Sequence, residues 1–117
     1  MELINNTQTK VNKAELEHLA ASVIKRLGVK NNLKFELIFV GPDEIASLAQ
    51  KAFLERRPTD VLSFPQTANE EGFLDSVVIC PEVAAKQAKR AGIDVGEEIK
   101  ILLGHGLLHL LGYHHQG

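Results

Sequence analysis

The chain has a single cysteine, Cys80, so no disulfide can form within it, and a lone thiol fits a reducing compartment. No apolar run approaches the roughly 18 uninterrupted residues that a membrane-spanning helix needs. The residues after Met1, ELINNTQTK, lack the apolar core of a secretory signal. Net charge is small, −2, which excludes a large basic field but leaves room for a local basic patch. Repeats, low-complexity tracts and linkers are also missing. These absences point to a cytoplasmic protein with no membrane partner.

What is present is ordinary for a globular chain: 117 residues, 44% hydrophobic and 24% charged. That length suits one domain, residues 1–117, with a real core. LINNTQ predicts a short edge strand. NKAELEHLAASVIKRLG predicts an amphipathic helix, with Asn12 as its cap, Glu15 three residues later and Gly28 as its stop. Leu16, Leu19, Ala20, Val23 and Leu27 share one face of it. LKFELIFVG sets Leu33, Phe35, Leu37 and Phe39 against Lys34, Glu36 and Ile38, the period of a strand that Gly41 closes. Pro42 opens a helix through PDEIASLAQKAFLERR, which Pro58 breaks.

A short strand at 61–64, a turn at NEEG and an apolar strand at 73–80 follow. PEVAAKQAKRAG is a helix of about three turns ended by Gly92. The last helix, DVGEEIKILLGHGLLHLLG, is expected to be capped by Asp94, stopped by Gly112 and buried nearly all round. Strands alternating with helices imply an α/β layered fold: a mixed sheet of four strands, mostly parallel with one antiparallel pair, packed by about four helices.

Four of the five histidines lie within residues 105–115. On a helix, His105 and His109 differ by roughly 40° in direction and project from one face about 6 Å apart. A backbone reversal at Gly112 would let His115 fold back toward the same point. His-x3-His-x5-His thus offers three neutral nitrogen ligands and an open fourth position, the pattern of a catalytic rather than a structural zinc site. Nickel, copper and cobalt also suit three imidazoles. The plainer reading is that helix histidines are structural, and the third histidine just past a glycine weighs against it. Zinc peptidases carry His-Glu-x-x-His, with the Glu as general base. Gly106 stands at that position here, so peptide hydrolysis lacks its usual base.

The segment HGLLHLLGYHH closely resembles the signature His-Gly-x-Leu-His-Leu-x-Gly-Tyr-Asp-His of the YbeY family. RPTDVLSFPQ, residues 57–66, resembles that family's Pro-Thr-Asp/Asn-Val-Leu-Ser-Phe-Pro motif, and FLDSVVICPEVA resembles the segment between them. The resemblance implies a zinc-dependent, single-strand-specific endoribonuclease. Such an enzyme acts in ribosomal RNA maturation, at the 3′ end of 16S RNA, and in ribosome quality control. It implies one Zn2+ held by His105, His109 and His115. Its partners would be single-stranded RNA, including ribosomal RNA, and the small ribosomal subunit or its assembly factors.

Three departures from the family pattern bear on the site. His114 replaces the signature Asp, as an exposed neighbour of the site or a competing ligand. Leu54 stands where the family places an arginine that grips phosphate. Arg57 is then the candidate catalytic arginine, with Arg56 and Ser63 as substrate contacts; basic residues at a helix end are otherwise simply solvated. Thr59 and Asp60 read as turn chemistry. The family's Gly-Asp before Val-Val-Ile is replaced by Asp75-Ser76. A second class of function is a non-catalytic RNA- or ribosome-binding module with a bound metal. A third, metal-dependent hydrolysis of a peptide or small molecule, is disfavoured by Gly106.

Overall fold

The structure, a computed structural model, describes residues 1–28, 34–53, 61–64 and 75–115; the side chains of 51–53, 64 and 111–115 lie outside that description. The elements run β1 (Glu2–Asn5), α1 (Lys13–Arg26), β2 (Phe35–Phe39), α2 (Pro42–Phe53), β3 (Val61–Phe64), β4 (Asp75–Ile79), α3 (Pro81–Ala91) and α4 (Val95–His115). The strands form one sheet in the order β1-β2-β4-β3. β1 and β4 flank β2 in parallel, and β3 pairs antiparallel with β4. The mixed α/β sheet expected from the alternation of elements is the one observed.

Local chemistry explains most boundaries. Asn12 caps α1, its side chain accepting the Glu15 amide at 3.1 Å, one of the donors that a helix start leaves without a partner. α1 ends at Arg26, and Gly28 follows at φ 71°. Leu27, placed on the apolar face by its spacing, lies beyond the helix and is exposed. Pro81 opens α3, and Gly92 closes it in the left-handed region at φ 72°, its amide donating to the Ala88 and Lys89 carbonyls. Proline fits the first helical position because its missing N–H has no partner there in any case. Glycine takes the positive φ without a Cβ clash.

Two apolar layers sandwich the sheet. Phe35, Leu37 and Phe39 of β2, with Val77 and Ile79 of β4, face α1 and α4, where they meet Leu16, Ala20, Leu103 and Leu107. The alternate residues Ile38 and Val78 face α2, packing with Ile45 and Ala49. The two-residue period of a strand sends each set to its own side. Leu37 and Phe39 are fully buried, each worth about 1.5–3 kcal/mol relative to exposure. Among the described residues, no helix is long and apolar enough to cross a membrane.

Candidate functional site

The carrier of the candidate ligands is α4, and two contacts set its place. At its start, Lys100 pairs with Glu15 of α1 and with Glu97 one turn back, the latter at 3.3 Å. The hydrogen bonds that the Lys100 ammonium donates to the Glu15 carboxylate first, then to Glu97, hold it above its ordinary pKa. Near its middle, α4 presses on the sheet at Gly106. A Cβ on Gly106 would lie 2.7 Å from Val77 Cγ1, 3.2 Å from Val77 Cγ2 and 3.3 Å from Ser63 Oγ. Only a hydrogen in place of a side chain allows helix and strand to approach this closely.

That contact settles what Gly106 is for. The residue between the two histidines faces the buried sheet, so a glutamate there would enter the core instead of the solvent side. Ser63, expected among the substrate contacts, lies beneath α4. It is buried, and its hydroxyl donates to the Gly106 carbonyl at 3.1 Å, joining β3 to α4. No pattern in the sequence pairs residues 43 positions apart. The family-like Leu-Ser-Phe segment marks Ser63 as notable without saying what it touches.

The outward side of α4 differs from expectation. The helix is not buried nearly all round: Ile101 and Leu108 are 44% and 51% exposed. His105 and His109 are exposed beside them. Leu103, Leu107 and Leu110 fill the core from the opposite side. Counting 100° per residue from Gly106, His105 and His109 fall about 100° and 60° round on the same side, and Leu108 about 160° away. The rotation that seats Gly106 on Val77 therefore turns both imidazoles outward. One helical turn apart, they are spaced to share an ion, and neither is a core histidine. The fifth histidine, His18, is exposed on α1.

The helix end also differs. Gly112 does not stop α4, which continues to His115. A glycine inside a helix costs only about 1 kcal/mol, and the left-handed conformation of a helix stop occurs here at Gly28 and Gly92. Along a continuous helix, position 115 lies about 9 Å beyond position 109 and about 120° round from it. Backbone reversal toward the His105–His109 pair is therefore absent from this structure. Among the described residues, no three His, Cys, Asp or Glu groups stand together as a metal cluster. Arg56, Arg57, Leu54, Thr59 and Asp60, and the side chains of His114 and His115, lie outside the described residues.

Comparison with known proteins bears on the same region. The family model described as Endoribonuclease YbeY matches residues 3–117. Endoribonuclease YbeY of Beutenbergia cavernae is 38% identical over 123 residues, covering 97% of this chain and 82% of that protein. Its counterpart in Thermobifida fusca is 37% identical, covering 98% and 80%. Among solved structures, the solution structure of TM1509 from Thermotoga maritima is similar with a TM-score of 0.66 at 26% identity, covering 93% of this chain and 70% of that one.

Proposed function

Because the chain belongs to the Endoribonuclease YbeY family, we propose that it is a zinc-dependent endoribonuclease that cuts single-stranded RNA in the cytoplasm during maturation of the 16S RNA 3′ end and in ribosome quality control. The observation that carries the metal assignment is the exposed pair His105 and His109, one turn apart on a helix whose other face fills the core. Solvent-facing imidazoles held by a rigid helix suit a divalent ion, and their neutral nitrogens suit zinc. His115 is the third ligand in this reading. Its joining the pair would require the last turn to leave the helix, for which Gly112 is the residue where backbone reversal is easiest.

Held by His105, His109 and His115, zinc would supply Lewis acidity toward a phosphate oxygen or water. The chain's own groups bind and orient. Arg57 grips the scissile phosphate and Arg56 a neighbouring one, as guanidinium forks do. Phosphate contacts of this kind make RNA affinity fall as salt rises. The small ribosomal subunit or an assembly factor presents the RNA.

The test is metal analysis of the purified protein beside His109→Ala, with cleavage of single-stranded and duplex RNA before and after chelation. Expected are about one zinc per chain, loss of metal in the variant, and cleavage that is confined to single strands and abolished by chelator. Unchanged metal content in His109→Ala refutes the site. Salt-sensitive RNA binding without metal-dependent cleavage refutes the enzymatic reading in favour of a binding module.

A further inference from the structure

We infer that Ser63 is a positioning residue for the histidine pair, acting through the α4 backbone; this rests on the assignment of His105 and His109 as metal ligands. Ser63 lies on β3 opposite Val77 in the antiparallel pairing with β4. It is 7% exposed, and its hydroxyl donates to the Gly106 carbonyl at 3.1 Å. A helical carbonyl at this position already accepts the amide four residues on, and its second lone pair remains for Ser63. The peptide so gripped lies inside the single turn bounded by His105 and His109.

Three features make this contact a seat with a defined rotation. Val77 is fully buried, and its β-branched side chain is stiff. Val77 Cγ1 comes within 2.7 Å of where a Gly106 Cβ would sit, which sets the height of the helix above the sheet. The hydrogen bond from Ser63 then fixes how far the helix is turned about its own axis. The bond also holds the peptide between the two histidines: a twist of about 20° within that turn, at a side-chain radius of roughly 6 Å, moves one imidazole nitrogen by about 2 Å relative to the other, as large as a Zn–N bond. Both imidazoles flank the gripped peptide, so a turn free to twist loses the fit of the pair to one ion before the helix loses its fold.

The experiment is titration of the metal-free full-length protein with Co2+, read by visible absorption, with Zn2+ competition. Wild type, Ser63→Ala, Ser63→Thr and His109→Ala are compared, and each is also melted in the metal-free state. Ser63→Ala is expected to weaken metal affinity about five- to tenfold, the scale of one lost buried hydrogen bond near a metal site. It is also expected to alter the Co2+ band shape. Ser63→Thr, which keeps the donor, returns the affinity to within about twofold of wild type. If alanine prevents folding, Ser63→Cys, a weaker donor of similar size, takes its place with a smaller loss in the same direction. Wild-type affinity and spectrum in Ser63→Ala or Ser63→Cys, whatever the melting temperature, overturn the inference, as does a Thr variant no better than Ala. Loss of metal in His109→Ala beside full affinity in Ser63→Ala removes this inference alone. Full affinity in His109→Ala removes the site as well.

Discussion

Two glycines two residues apart on α4 should respond to the same substitution with opposite sign. Replacing glycine by alanine inside a helix stabilises by about 1 kcal/mol, because the unfolded chain has less freedom to lose. At Gly104 a Cβ meets nothing within 4 Å, so that gain stands alone. Gly104→Ala should raise the melting temperature by about 3–5 °C for a domain of this size. At Gly106 the Cβ arrives 2.7 Å from Val77 Cγ1 and 3.3 Å from Ser63 Oγ. Val77 cannot move aside easily, being fully buried and paired with Leu37 on one side and Ser63 on the other. Overpacking of this kind costs about 1–3 kcal/mol. Set against the helix gain, the net loss is centred on about 1 kcal/mol, and melting should fall by about 3–5 °C. Urea and thermal unfolding followed by circular dichroism measure both variants. Val77→Ala makes room for the new methyl, so the double variant Gly106→Ala/Val77→Ala should be more stable than the sum of its parts by at least about 1 kcal/mol. A Gly106→Ala protein stabilised as much as Gly104→Ala, or a double variant that is merely additive, would show that the helix does not rest on Val77 as described.

Other substitutions test the anchoring of the helices. Asn12→Ala removes the acceptor for the Glu15 amide and should lower stability by about 1 kcal/mol in urea unfolding; an unchanged midpoint would show that the cap contributes nothing. Lys100→Met cuts the tie between α4 and α1. Since the Lys100 pKa is raised in the folded protein, its contribution is fully present below the ordinary value of 10.5 and is lost as pH rises through the higher folded value. The stability difference between wild type and Lys100→Met should therefore be constant from neutral pH to mildly alkaline pH, shrink only in strong alkali, and shrink in high salt. A difference that vanishes near neutrality would contradict the pairing.

Much of the fold was legible because it depends on near neighbours. The alternation Phe35, Leu37, Phe39 against Glu36 and Ile38 marked a strand whose two faces meet different layers. Asn12 with Glu15 marked a helix start through groups within a turn of one another, and Pro81 and Gly92 marked the two ends of α3 through their own backbone preferences. The histidine spacing in the last helix placed His105 and His109 on one face, where the structure has them. Gly112 was misread as a stop because a glycine's conformation follows what the surrounding chain gains from helix, and here the helix continues. The last helix, expected to be buried nearly all round, leaves Ile101 and Leu108 exposed because composition reports how apolar a helix is and says nothing of how many sides of it are covered.

Which segments become strands or helices, and that two imidazoles stand one turn apart, are written in the residues themselves, since both follow from backbone preferences and helical geometry over a few positions. Which way that turn faces depends on the folded packing. The rotation of α4 is set by Gly106 resting on Val77 and held by the Ser63 hydroxyl. Contacts between segments distant along the chain arise from packing of whole layers, where shape and close approach select the partners.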